Sequence, residues 1–220
     1  MSVFTLTSQT PPSDALFEHI AQSLETQGYM VLPAALPTEL SDALVSLLSH
    51  TDDPEFHRAA VGRGTDQTRN QFVRRDQISW IEPGNTDADA WLGWTRRLMT
   101  YLNRRLFLGL FSFESHLARY EPGDFYKKHY DAFRGESNRV LSLVTYLNKG
   151  WETGHGGELV IYKPDSDDEL IRVQPSFGTL VLFLSEEFPH EVLAGNRERY
   201  SVAGWFRVNG SIQNAIDPPR

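Results

Sequence analysis

Apolar residues recur at helical spacing along the first half of the chain and at strand spacing along the second. Leu16, Phe17, Ile20 and Leu24 mark one face of a helix that Ser13 can cap and Gly28 ends. Residues 29–32 are a short apolar run that reads as a strand. Leu40, Leu44, Leu47 and Leu48 define a second helix, opened by Pro37 or Thr38. A long third helix is predicted over residues 87–108, with Trp91, Trp94, Leu98, Leu102 and Leu106 on one side and Arg96, Arg97, Arg104 and Arg105 elsewhere. Between the second and third helices a Gly- and Arg-rich loop, 61–70, runs into an alternating segment, 72–82, that reads as a strand.

After Phe111 the pattern changes. Candidate strands fall at 115–120, 125–129, 140–147, 158–162, 170–173, 179–184, 191–193 and 199–208. Turn signals lie between them, at Glu121-Pro122-Gly123, Asn148-Lys149-Gly150, 175–178 and Ala194-Gly195-Asn196. Short strands at this spacing suggest a jelly roll or small barrel, so the fold class is mainly β with supporting helices. We read residues 1–220 as one domain: helical support and the Arg-rich loop to about 110, a jelly-roll core over about 111–208, and a polar tail, 209–220, expected to fray. No internal repeat or low-complexity tract interrupts it.

Composition narrows the chemistry. The chain has 220 residues, enough for one core, with an ordinary balance of 40% hydrophobic and 23% charged residues. It has no cysteine, which removes disulfides, thiolate nucleophiles, Cys-ligated zinc and iron–sulfur clusters; any metal must rest on His, Asp or Glu. The net charge of −8 argues against general nucleic-acid binding. Arg58, Arg63, Arg69, Arg74 and Arg75 nevertheless make one region locally basic. The first residues lack the basic start and apolar stretch of a secretory leader, and no apolar run is long enough for a bilayer, so a cytoplasmic protein without a membrane partner is expected.

His129-Tyr130-Asp131 places an imidazole and a carboxylate two residues apart, on one face if the segment is a strand. His190, far along the chain, can supply a third ligand. Two His and one carboxylate on one face leave the other coordination positions open, which suits Fe(II) that must also bind a co-substrate and O2. Alone, a His-x-Asp pair is as readily a surface His beside a solvated Asp. His116, in a strand ahead of Tyr120, is the rival ligand. The turn at 194–196 would fold the chain into a hairpin, bringing Arg199 to the strand beside His190 and pointing it into the same barrel. A guanidinium there can hold a carboxylate bidentately. 2-Oxoglutarate needs that pairing: its 2-oxo acid end chelates a metal and its distal carboxylate needs a cation. Ser201 and Trp205 share Arg199's parity, one a second donor, the other a wall. Tyr120 and Tyr146 offer phenols to the co-substrate, with plain core packing as the alternative.

These residues together resemble the 2-oxoglutarate/Fe(II) dioxygenase superfamily: His129-x-Asp131, His190-Glu191-Val192, Arg199-x-Ser201 and Gly204-Trp205-Phe206. Tyr146-Leu147-Asn148 and Gly156-Gly157-Glu158-Leu159 are similar to its prolyl-hydroxylase branch. The run Arg74-x-Asp76-x-Ile78-x-Trp80 resembles the hypoxia-inducible-factor prolyl hydroxylases, as do Arg139 and Arg199-Tyr200, and the bacterial members of that subgroup in particular. The resemblance covers roughly residues 62–207. It implies a double-stranded β-helix core with N-terminal helices packed on it. It implies Fe(II), with 2-oxoglutarate and O2 as co-substrates and ascorbate as reductant, and contacts from Tyr120, Tyr146 and Arg199 to 2-oxoglutarate. It further implies that the loop from Gly62 to about Arg75 closes over a protein substrate, with Arg63, Arg74, Asp76, Trp80 and Arg139 binding it and Arg74, Asp76 and Arg139 forming a charged cluster. The bacterial members are taken to hydroxylate a proline in elongation factor Tu. Ser201 departs from the animal enzymes but suits the wider Arg-x-Ser pattern. Two further readings stand beside this one: the same chemistry on a free amino acid or a ribosomal protein, and a cupin-like barrel that binds metal without oxidation.

Overall fold

The computed structural model describes residues 13–59, 72–132, 138–209, 211–212 and 215–216. The first helix, α1, spans Ser13–Gln27 and buries Leu16, Phe17, Ile20 and Leu24. Gly28 ends it at a φ of 77°, a left-handed turn that favours glycine. Strand β1 is Tyr29–Leu32 and helix α2 is Thr38–Ser49. The third helix, α3, is Thr86–Leu106; the Asn85 side chain caps it by accepting from Ala88 N at 2.8 Å. It stops where Phe107 turns left-handed, two residues before the predicted end. The Asn103 amide then exchanges two 2.7 Å hydrogen bonds with the backbone of Leu110, locking the helix to the first residue of the next strand.

The remaining strands are β2 His57–Arg58, β3 Gln77–Trp80, β4 Leu110–Tyr120, β5 Tyr126–His129, β6 Arg139–Tyr146, β7 Leu159–Tyr162, β8 Glu169–Val173, β9 Leu180–Leu184, β10 His190–Val192, β11 Arg199–Val208, β12 Ser211–Ile212 and β13 Ala215–Ile216. Among the described residues the strands form a seven-stranded sheet, β1-β9-β6-β11-β4-β3-β2, a four-stranded sheet, β5-β10-β7-β8, and a two-stranded pair, β12-β13, antiparallel throughout. This is a jelly roll with helical support.

Alternation along the large sheet sorts its two faces. Leu117, Leu141, Leu143, Leu180, Leu182, Val202 and Phe206 point to one side and join the apolar stripes of the three helices in one core. Residues of opposite parity, including Ala118, Tyr120, Tyr146, Val181 and Phe183, meet Leu159, Ile161, Val173 and Val192 of the small sheet in a second core. The candidate chemistry lies in that second, inter-sheet layer. On β11 the same rule sends Arg199, Ser201, Trp205 and Arg207 inward and Val202 and Phe206 to the helices.

Four expectations are corrected. The segment 72–82 is not one strand. Val73 and Arg75 exchange backbone hydrogen bonds with Lys127 and Phe125 of the small-sheet side, whereas Gln77–Trp80 pairs with β4. The segment therefore passes from one sheet to the other. His190 and Arg199 are not on neighbouring strands: β10 already has β5 and β7 on its two edges, and β11 has β6 and β4, so the turn carries the chain between sheets. Asp131 lies just beyond β5 rather than on it. The tail is not frayed throughout, because β12 and β13 pair through Ser211 with Ile216 and Ile212 with Ala215. No helix among the described residues is long and apolar enough to cross a membrane.

Candidate metal centre and co-substrate pocket

β5 and β10 are hydrogen-bonded neighbours, and their register puts His129 opposite His190. The bend after β5 turns the Asp131 carboxylate back toward both rings. Asp131 Oδ1 is 3.6 Å from His129 Nε2, and Oδ2 is 3.5 Å from His190 Nε2. The ligand atoms of the three residues all lie within 4.8 Å of one another.

The hydrogen bonds fix which ring nitrogens face inward. His129 Nδ1 lies 2.7 Å from Lys127 O and His190 Nδ1 3.1 Å from Phe188 O. A carbonyl only accepts, so each Nδ1 carries the proton and donates. A neutral ring then presents Nε2 as a bare lone pair, the arrangement typical of metal-ligating histidines. Burial, with the neighbouring His129, lowers the His190 pKa to about 4, which leaves it neutral near pH 7. Burial alone would raise Asp131, but the positive charge that His190 and His129 would carry once protonated at low pH, together with the Arg139 charge, outweighs it and holds the carboxyl well below its usual range, so it is already ionised where the rings are neutral. Lone pairs of nitrogen and of an ionised carboxylate thus face each other across about 3.5 Å, and a cation between them removes the repulsion. Donor atoms ~2 Å from one ion must themselves lie ~3–4 Å apart, so the set fits a divalent metal. Tyr126 stacks on His129 with centroids 3.6 Å apart, and Phe183 meets His190 edge-on at 4.7 Å, fixing both rings.

Arg199 lies in the same inter-sheet layer and is 3% exposed. Its Nε donates to Gly157 O at 2.9 Å and its Nη1 to Ser201 Oγ at 3.2 Å. The guanidinium sits over the rings of Tyr120 and Tyr146, 4.7 and 5.1 Å from their centroids. Among the described residues no carboxylate pairs with it. A buried cation without an anion is costly, and the adjacent Tyr146 Oη is buried with no hydrogen-bond partner. Burial raises that phenol to about 12, against the opposing charge of Arg199, so it is a protonated donor. Tyr120 is likewise raised by burial. An unpaired guanidinium beside an unsatisfied phenol fits the distal carboxylate of 2-oxoglutarate. Gly157 makes room for it: φ is 73°, and a Cβ there would stand 3.3 Å from Arg199 Cδ.

The remaining expected site residues divide. Arg63 lies outside the described residues. Arg74 and Asp76 bind each other bidentately at 2.6 and 2.7 Å, and Arg74 lies 4.5 Å over the Tyr126 ring that supports His129. Arg139 does not join that pair. It binds Glu114 at 2.8 Å and lies 3.6 Å over Trp205, and Arg207 shares the same Glu114 at 3.1 Å. The expected three-residue charged cluster is therefore two separate ion-paired groups, because Glu114 on β4 offers Arg139 a nearer carboxylate. His116, the rival ligand, is buried between Trp80 and Trp205, with ring centroids at 5.2 and 5.4 Å, away from the trio's ligand set. Trp80 is half-exposed at this rim. Ser142, Ser185, Glu114 and Tyr126 were missed; of these, only Ser142 carried a sequence signal, a polar residue at an inward position of an apolar strand.

A model of the 2OG-Fe(II) oxygenase superfamily matches residues 115–207, a span that holds the trio and Arg199. Prolyl hydroxylase EGLN3 of Homo sapiens is 32% identical over 146 residues, covering 62% of this chain and 59% of EGLN3. Egl nine homolog 1 of Homo sapiens is 25% identical over 214 residues, covering 90% of this chain and 49% of that protein. The chain thus spans only part of these curated relatives. A prolyl-4-hydroxylase from Pseudomonas putida, known from its crystal structure, is 39% identical with a TM-score of 0.78, covering 88% of this chain and 100% of that one. A prolyl hydroxylase from Trichoplax adhaerens, solved with a hypoxia inducible factor peptide fragment, shares the fold at a TM-score of 0.76 and 24% identity, over 89% of this chain and 90% of that one.

Proposed function

Because the chain belongs to the 2OG-Fe(II) oxygenase superfamily, we propose that it hydroxylates prolyl residues of a protein substrate, and that this substrate is elongation factor Tu. One observation carries the reading: bare imidazole lone pairs and an ionised carboxylate converge in the same inter-sheet layer as a buried arginine that lacks an anion. Iron with 2-oxoglutarate and O2 supplies the oxidising chemistry, releasing succinate and CO2 and placing one oxygen atom on the substrate.

The chain's own residues bind, orient and exclude water. His129, His190 and Asp131 are the residues that would hold the metal. Arg199, with Ser201 and the Tyr120 and Tyr146 phenols, takes the distal carboxylate and so fixes the co-substrate's length and direction. Apolar neighbours of both sheets, Phe183 among them, keep water from the pocket. The half-exposed Trp80, with Trp205 and Arg139 behind it, offers an aromatic and cationic rim for a prolyl peptide. Support for a protein substrate comes from the likeness to prolyl hydroxylases, one of which was solved with a peptide. The choice of elongation factor Tu follows from the resemblance to the bacterial subgroup.

The test is to incubate the full chain with Fe(II), 2-oxoglutarate, O2, ascorbate and purified elongation factor Tu. Succinate should form in an iron-dependent way, His190→Ala should abolish it, and one prolyl peptide should gain the mass of one oxygen atom. Iron-dependent succinate with unmodified elongation factor Tu would overturn the substrate. No succinate under any condition would overturn the oxygenase reading and favour a non-oxidative metal-binding barrel.

A further inference from the structure

Two serine hydroxyls are buried beside the trio where alternation along the strands calls for apolar side chains. Ser142, inward on β6 between Phe183 and Trp205 of the flanking strands, is 1% exposed; Ser185, just past β9, is 0% exposed. Ser142 Oγ lies 2.6 Å from Asp131 Oδ2 and 2.9 Å from Ser185 Oγ. Two hydroxyls could satisfy each other and nothing more, but the shorter contact is to the carboxylate.

We infer that Ser142 is a positioning residue for the metal centre and that Ser185 completes it, in a relay running Ser185 to Ser142 to Asp131. The direction follows from donor inventory. A carboxylate that ligates a metal is ionised and only accepts, so the single Ser142 proton goes to Asp131. Ser142 then has no proton left for Ser185, and at 2.9 Å Ser185 must donate to it. One carboxylate oxygen is thereby occupied and the plane of the group fixed, so Asp131 offers its remaining lone pairs to the ion in one orientation. The relay bridges β6 and the end of β9 in the large sheet to a ligand that follows β5 of the small sheet, so it also sets the spacing of the two sheets at the metal. Partners of this kind outside the ligand set typically change metal affinity about 10- to 100-fold when removed.

This inference rests on the trio being a metal centre, and the experiment separates the two. Cobalt(II) is titrated into the metal-free full chain and followed by its visible ligand-field absorption, for wild type, Ser142→Ala, Ser142→Thr and Ser185→Ala. A denaturant midpoint for each variant reports folding. Wild type should bind. Ser142→Ala should bind about 10- to 100-fold more weakly with an altered spectrum, Ser142→Thr should restore the wild-type spectrum, and Ser185→Ala should weaken binding less than Ser142→Ala. A folded Ser142→Ala with wild-type affinity and spectrum, or a folded Ser142→Thr that fails to rescue, overturns the relay. A wild-type chain that binds no cobalt overturns the metal centre itself.

Discussion

Replacing Arg199 by methionine keeps the aliphatic stem and removes the charge. The ligand-free protein carries that charge at 3% exposure with two hydrogen bonds, to Gly157 O and Ser201 Oγ, and two aromatic faces. Burying an ion costs several kcal/mol. Hydrogen bonds to a charged group return about 1.5–3 kcal/mol each, and a desolvated aromatic face up to about 2. These terms offset only part of that cost while no anion is bound, so a fold missing the guanidinium should survive. The ligand is another matter. Truncating one partner of a buried, hydrogen-bonded charge pair costs about 2–5 kcal/mol. At 1.4 kcal/mol per decade, 2-oxoglutarate should bind Arg199→Met roughly 30- to 4,000-fold more weakly. Calorimetric titration of the manganese(II)-loaded protein measures this directly, with pyruvate as the control, since it shares the 2-oxo acid and lacks the distal carboxylate. Pyruvate should bind wild type and variant alike. Equal affinity of the two proteins for 2-oxoglutarate, or an equal loss for pyruvate, would refute the carboxylate assignment.

Further outcomes follow from the same geometry. Tyr146→Phe removes a buried hydroxyl that has no hydrogen-bond partner, so the ligand-free denaturation midpoint should hold or rise while 2-oxoglutarate affinity falls; a large drop in that midpoint would show an unrecognised partner. A Cβ on Gly204 would lie 2.5 Å from Phe113 Cζ and 2.8 Å from Glu114 O, so Gly204→Ala should cost about 1–3 kcal/mol or more by overpacking, read as a lower urea midpoint; an unchanged midpoint contradicts this. His190 takes a proton near 6.5 when unfolded and near 4 when folded, so between those values the unfolded chain binds more protons and stability rises with pH. Asp131, held below 3.8, keeps its contribution through that window and loses it only at lower pH. The metal-free protein's urea midpoint should therefore fall from pH 6.5 toward 4, the buried His116, also held well below 6.5, adding a fall of the same sign, and His190→Asn should make the fall shallower without removing it; a slope unchanged by His190→Asn would contradict the assignment.

Much of this was legible in the sequence because burial on one face imposes a period. The limits of β1 and β11 were read to the residue, and α1 and α2 follow their apolar stripes. The helix α3 was shifted because its cap is the Asn85 amide and its stop is the left-handed Phe107, neither of which changes the apolar period. Pairing was less legible. Periodicity says which face of a strand is buried, not which strand lies beside it, so the separation of His190 and Arg199 into opposite sheets was hidden, as was the passage of residues 72–82 between sheets. In the site, the two histidines and Arg199 stood out because charge or imidazole at inward positions of apolar strands is expensive. Ser185 and Glu114 did not, and Ser142 showed only as a hydroxyl at an inward strand position, because a serine or glutamate acquires its meaning from a neighbour distant in the chain.

Crystals grown with manganese(II) and 2-oxoglutarate would test the central claim most directly, through the anomalous difference map. One peak bonded to His129 Nε2, Asp131 and His190 Nε2, with the co-substrate's distal carboxylate on Arg199, is the predicted result. A peak on His116 or elsewhere, or a carboxylate bound away from Arg199, would contradict it.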